Sequence, residues 1–195
     1  MTRREKTLKI CYVALFTAVI IVLSQLPGIP LPGGVPMTLQ TLIIPMAGVV
    51  LGTAMGTGSA VLYVLLGLVG LPVFSGFKGG LGVILGPTGG FILSFPLMAF
   101  FAGLGANAIK DPNAKKLLRE GALYLGLLVG TVLNYVVGTF WFAGVYMGAV
   151  NRETLATGFS ACVLPFIPTT ILKIILAGIL GNLLRKALVR AGLLT

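Results

Sequence analysis

Long runs with no polar side restrict this chain more than any other feature. Residues 13–23 and 122–129 are apolar on every side. A surface helix of a soluble domain keeps a polar face, so lipid must be the solvent for these stretches. Transmembrane β-strands would show segments of about ten residues alternating with period two, and these runs do not alternate. The chain therefore reads as an all-α integral membrane protein. Charge supports this: only 9% of residues are charged and mean hydropathy is +1.07, whereas a soluble domain carries about 25% charged residues. Twenty-eight glycines and eleven prolines fit the same class, because transmembrane helices tolerate both.

Six apolar stretches stand out, over residues 8–26, 38–51, 53–70, 89–109, 121–150 and 164–188. A span needs about 20 residues, so the second is short and the fifth long. Only Gly52, Gly56 and Gly58 separate the second from the third. The basic residues decide that boundary. With six spans and the N-terminus inside, the cytoplasmic segments hold Arg3, Arg4, Lys6, Lys9, Lys110, Lys115, Lys116, Arg119, Arg185, Lys186 and Arg190. Outer loops hold only Lys78 and Arg152. Fusing the second and third stretches would move the 110–119 cluster outside, against the positive-inside rule. The expectation is one membrane domain over residues 1–195, six transmembrane helices and both termini cytoplasmic, in a multi-pass protein of the cell membrane.

The net charge of +10 is thus a matter of orientation, and no nucleic-acid partner is expected. There is no histidine, and Cys11 and Cys162 fall near opposite ends of their spans. That excludes a disulfide and leaves no metal chemistry. The apolar run after Lys9 has no small-x-small cleavage site behind it, so it is not a cleaved signal. Residues 27–36 and 70–82, between spans, are rich in proline and glycine yet apolar. Such loops fold back against the bundle, as a plug or as a lid over a cavity.

Enzymatic and proton-coupled classes find little support. Glu5, Asp111, Glu120 and Glu153 all fall in tails, loops or helix ends, whereas proton carriers place ionisable groups within the membrane. The stretch Gly86-Pro87-Thr88-Gly89-Gly90 lacks the Gly-Lys-Ser/Thr ending that grips nucleotide phosphates and reads as a turn into the fourth helix. No cofactor is expected. Uphill transport would need a partner to supply energy.

Lys173 lies about 13 Å into the last span, after Pro165-Phe166-Ile167-Pro168-Thr169-Thr170. An ammonium there costs on the order of 3 kcal/mol, so it either snorkels outward or meets a polar cavity or ligand. Gln40 with Thr38 and Thr41, and Asn134 with Tyr135, are polar at similar depth, and Trp141 offers a ring for stacking or for an interfacial belt. Small residues recur at spacing four at Ala14/Ala18, Gly48/Gly52/Gly56, Gly126/Gly130 and Gly144/Gly148, which lets helices approach closely.

Several motifs in order, Gly34-Val35-Pro36-Met37-Thr38-Leu39-Gln40-Thr41-Leu42, Gly67-Leu68-Val69-Gly70-Leu71-Pro72-Val73-Phe74, Gly86-Pro87-Thr88-Gly89-Gly90-Phe91 and Pro165-Phe166-Ile167-Pro168 leading to Lys173, make the chain resemble the BioY family. These are the biotin-binding S-components of energy-coupling-factor (ECF) vitamin transporters. The resemblance implies the six-helix S-component fold and capture of biotin from outside. It also implies docking onto a transmembrane coupling protein and two ATP-binding subunits. It places ligand contacts among Thr38, Gln40, Phe74, Asn134, Tyr135, Trp141, Thr170 and Lys173, with Ala14 and Ala18 facing the coupling protein. Where the family usually has Gly-Asp before the lysine, this chain has Thr169-Thr170. That aspartate, by resemblance, helps hold the ureido ring, and a hydroxyl accepts more weakly than a carboxylate. Biotin and another carboxylate vitamin such as lipoate therefore both stay open, as do a self-sufficient secondary carrier and a membrane enzyme or structural subunit.

Overall fold

The computed structural model describes residues 3–29, 34–108 and 115–194. Lys110 and Asp111, and residues 30–33 of the first apolar loop, lie outside that set. The described chain is helical: α1 (Arg3–Ser24), α2 (Gln40–Leu68), the short α3 (Leu81–Ile84) and α4 (Gly89–Leu93), α5 (Phe95–Asn107), α6 (Lys116–Trp141), α7 (Arg152–Cys162) and α8 (Ile167–Arg190). Five stretches are long and apolar enough to cross a membrane.

One of the five, α2, is two rods. Gly52 adopts φ +79° and ψ 178°, a left-handed conformation that only glycine takes up readily. Residues 48 and 56 would lie about 12 Å apart along a straight helix. Instead, a Cβ built on Gly56 would come within 2.5 Å of the Gly48 Cα. The Gln40 amide likewise donates to the Tyr63 hydroxyl, across what would be about 35 Å of continuous helix. The chain therefore reverses at Gly52, and arms 40–51 and 53–68 pack back to back. Gly56 and Gly58, the other marks of this boundary in the sequence, lie within the second arm.

Glycine sets how closely the neighbouring helices approach. A Cβ on Gly48 would sit 2.1 Å from the Ala99 carbonyl oxygen of α5, and one on Gly103 would sit 2.6 Å from the Thr53 backbone. Gly105 of α5 and Gly126 of α6 face each other at similar range. With lipid outside, no hydrophobic force drives helices together, so association depends on this kind of close packing. At the reversal, helical bonding leaves C-terminal carbonyls open. Arg185 of α8 donates to the carbonyls of Val49 and Ala106, both at 3.3 Å, and to Asn107 Oδ1 at 2.6 Å. Near the same end the Tyr12 hydroxyl of α1 donates to the Leu193 carbonyl.

Three features depart from the sequence reading. The stretch 89–109 is bent at Ser94, where α4 gives way to α5; the Ser94 hydroxyl donates back to the Gly90 carbonyl at 2.7 Å, a contact that bends helices. The stretch 121–150 does not run through as one helix. It leaves α6 through a π-helical turn, Phe142–Tyr146, closed by Met147 N–H on the Phe142 carbonyl at 2.9 Å. The segment from Arg152, expected as a loop, is itself a helix, α7. Asn151 caps it, its Oδ1 accepting from Thr154 N–H while Thr154 Oγ1 accepts from Asn151 N–H. That reciprocal cap is a helix-start signal the apolar reading passed over.

Close backbone packing makes the Gly48 position intolerant. Gly48→Ala forces a methyl onto the Ala99 carbonyl and should cost about 1–3 kcal/mol, seen as a lower thermal midpoint in detergent. Gly121→Ala, where nothing lies within 4 Å of the new carbon, should leave the midpoint unchanged. Equal behaviour of the two variants would refute glycine-limited packing.

Candidate functional site

A cavity of about 300 Å³ lies at the end of the bundle away from Arg185, large enough for a small ligand. The hairpin builds one wall. Because α2 reverses, its first residue and Tyr63 meet. Gln40 is buried, its Oε1 accepts from Thr38 Oγ1 at 2.9 Å, and its Nε2 donates to the Tyr63 hydroxyl. The Phe74 ring, 1% exposed, sits over Gly67, where a Cβ would overlap it at 2.0 Å. It meets Tyr63 edge to face with centroids 5.6 Å apart.

The apolar loops after α1 and α2 roof the site. Ile29 and Met37 exchange backbone hydrogen bonds of 2.9 and 2.8 Å, which brings Gly34, Val35 and Pro36 onto the cavity. The second loop closes with a bridge between Phe74 and Lys78. Gln25, just past α1, ties it down: its amide donates to the Val73 carbonyl at 2.9 Å and accepts from Phe77 N–H at 2.9 Å. Among the described residues, these loops line the cavity rather than only filling the bundle.

The opposite wall comes from α4, α6 and α8. Asn134 is 1% exposed, and its Nδ2 donates to the Phe91 carbonyl and to Ser94 Oγ, both at 2.8 Å. A carbonyl can only accept, so the amide orientation is fixed. Asn134 Oδ1 is then buried without a partner. Lys173 Nζ donates to the Thr38 carbonyl at 2.8 Å and to Thr41 Oγ1 at 3.0 Å. An ammonium carries three donors, so one N–H is left over, on a residue that lines the cavity. Asn134 and Lys173 thus meet at this cavity, each with a polar atom that has no protein partner, among aromatic rings from Phe74, Phe91, Phe95 and Phe166.

Of the residues singled out in the sequence, Thr38, Gln40, Phe74, Asn134, Tyr135 and Lys173 line this cavity. Thr170 lies behind the wall, its hydroxyl hydrogen-bonded to the Tyr135 hydroxyl. Trp141 is also off the wall; its ring packs on Gly89 and Gly90, and Nε1 donates to the Ile84 carbonyl at 3.0 Å. Sequence reasoning passed over Lys78, Tyr63, Phe95 and Cys162. Lys78 carried a signal, as a cation in an otherwise apolar loop. The other three look like ordinary apolar filling. Ala14 and Ala18, away from the cavity, are both exposed on one face of α1.

A helical membrane bundle whose ligand-sized cavity is walled by aromatic rings and a few polar groups, with no nucleophile–base pair among its described lining residues, has the make-up of a membrane-embedded solute-binding protein. A family model for the BioY family matches residues 1–190. The chain is 38% identical to the probable biotin transporter BioY of Pyrococcus horikoshii over 92% of its length and 98% of that protein. It is 34% identical to the biotin transporter BioY of Rhodobacter capsulatus, over 87% of this chain and 89% of that one. A crystal structure of the S-component for biotin from an ECF-type ABC transporter superposes with a TM-score of 0.78 at 34% identity, covering 95% of both chains. The chain belongs to the BioY family, whose members are multi-pass membrane transport proteins and not enzymes.

Proposed function

We propose that this chain is the S-component of an ECF-type importer and captures biotin in the cavity beneath the outer loops. The observation that carries this reading is the pairing of Asn134 Oδ1, buried and unpartnered, with the spare donor on Lys173. A ureido group offers N–H donors beside a carbonyl, the complement of such a pair. The carbonyl takes the third Lys173 N–H, and a ring N–H donates to Asn134. Phe74, Tyr135 and Gln40 frame the bicycle, and Thr38 acts by presenting its carbonyl to Lys173. Thr170 and Trp141 hold the wall from behind, Thr170 through Tyr135 and Trp141 through Ile84. Exposed Lys78 at the second loop meets the carboxylate of the ligand tail. Lipoate has the tail but no N–H for Asn134, and forgoes a hydrogen bond worth about 0.5–1.5 kcal/mol.

Binding to the purified protein tests this. Losing the charged hydrogen bond in Lys173→Met should weaken biotin by about 10- to 150-fold. Desthiobiotin, which keeps the ureido group, should bind, and lipoate should compete poorly. Lys78→Met should weaken biotin by no more than about fivefold, as for an exposed pair, and should leave biotinamide unaffected. Unchanged biotin affinity in Lys173→Met would remove the site assignment.

The same reading gives six spans with both termini cytoplasmic. They are α1, the two arms of α2, α4 with α5, α6 and α8, while α7 lies at the outer surface. The Tyr12–Leu193 contact and the shared basic lining from α6 and α8 support it. Single cysteines placed in the two tails of a cysteine-free variant should react with an impermeant reagent only in inverted vesicles. Labelling of one tail from each side would exclude this topology.

Ala14 and Ala18 form the flat, exposed stripe against which the transmembrane coupling protein packs, and the two ATP-binding subunits drive release inward. Ala14→Leu with Ala18→Leu should abolish ATP-dependent uptake in the assembled transporter and leave biotin binding intact. Joint loss of both would show that the stripe serves the fold of this chain alone.

A further inference from the structure

A second cavity, of about 510 Å³, lies at the other end of the bundle, where α6 begins and α8 ends. Lys116 and Arg119 of α6 and Arg185, Lys186 and Arg190 of α8 line it, with Glu120 the only carboxylate among its described lining residues. Glu120 lies 3.5 Å from Lys116, and Arg185 is committed to the carbonyls of Val49 and Ala106. Among the described residues, Arg119, Lys186 and Arg190 are left without a carboxylate in the cavity. The positive-inside rule accounts for cations on one membrane face, but it does not require two helices to direct them into one hollow. Like charges held there repel one another.

The start of α6 adds to the imbalance. This 26-residue helix has no side-chain cap and no acidic residue in its first turn, although a helix N-terminus carries partial positive charge and favours anions. Lys116 and Arg119 therefore sit at the electrostatically wrong end of α6 unless an anion joins them. The setting points to which anion. Val189, 46% exposed, lines the cavity, and Leu117 beside it in α6 is 79% exposed, so acyl chains can lie directly against the rim. A half-buried Asn182 adds a neutral donor to the lining.

We propose that this cavity binds the phosphodiester headgroup of an anionic phospholipid of the phosphatidylglycerol type, with Arg119, Lys186 and Arg190 as its counter-charges. The protein, exchanged into phosphatidylcholine vesicles with or without an equal part of phosphatidylglycerol, is examined by native mass spectrometry and thermal melting. Phosphatidylglycerol should be retained and should raise the melting midpoint. Each cation near a membrane surface contributes about a factor of five. The triple variant Arg119→Gln, Lys186→Gln, Arg190→Gln should therefore hold the lipid about 100-fold more weakly. The matched variant Arg3→Gln, Arg4→Gln, Lys6→Gln removes as many cations of α1, outside the cavity lining, and should retain it. Equal loss in both variants would reduce the effect to general surface attraction and overturn the site. Equal stabilisation by inorganic phosphate in pure phosphatidylcholine would overturn the lipid as occupant. No preference of the unmodified protein for phosphatidylglycerol would overturn the proposal without recourse to any variant.

Discussion

The reversal at Gly52 is the constraint from which both ends of the molecule are built. Two arms of 40–51 and 53–68 can lie back to back only because Gly48 and Gly56 carry no side chain at their contact. In a hydrocarbon solvent, open backbone groups at such a break cannot turn to water. Arg185 meets part of that need by donating to the carbonyls of Val49 and Ala106, which ties α8 to the tips of two other elements. At the opposite end the same reversal brings Gln40 against Tyr63 and turns the Thr38–Thr41 segment toward α8. A straight α2 would abolish both arrangements.

A lysine at membrane depth without a carboxylate is explained by the same economy of polar groups. The Thr38 carbonyl precedes the helix and is not used by it; Leu42 and Ile43 N–H groups go to Leu39 instead. Lys173 takes up that carbonyl together with the Thr41 hydroxyl. The remaining N–H has no protein partner among the described residues, and Asn134 Oδ1, on another residue of the same lining, is likewise unpartnered. Fixed partners on the far side of each group hold these two atoms in place before any ligand arrives, which lowers the ordering cost of binding. Buried polar atoms left over from folding are where a ligand can contribute most.

Much of this was legible in the sequence because membrane energetics leave few options. Counting basic residues separated the two arms of α2 at a boundary marked only by glycine, and the cost of burying Lys173 marked it out before any partner was known. Thr38, Gln40, Asn134 and Tyr135 stood out for the same reason, as polar groups that must be satisfied. Trp141 and Thr170 show where this logic ends. Each satisfies its polar atom on a residue remote in sequence, Ile84 and Tyr135 respectively, and composition does not reveal which partner wins. Lys78 is a different case: a cation in an apolar loop is a signal, but an exposed one costs nothing there, so the sequence does not say that it lines the cavity. The kink at Ser94 and the cap at Asn151 depend on local side-chain bonds that a hydropathy reading does not see.

The two cavities share α8, and this ties their chemistry together. Lys173 and Arg185 are twelve residues apart, about 18 Å along one rod, and each donates to a backbone carbonyl of the first α2 arm or its lead-in: Thr38 just before the arm, Val49 near its far end. The first arm is thus fastened to α8 at both ends by cations, with Gly181 packed on Val49 between them. Any shift of α8 along its axis must break one of these bonds or carry the arm with it. Because the second arm packs on the first through Gly48 and Gly56, and Ser59 of that arm donates to the Val13 carbonyl of α1, such a shift reaches α1. Lys173 is therefore joined, through packed helices and a few oriented hydrogen bonds, to the helix that carries Ala14 and Ala18.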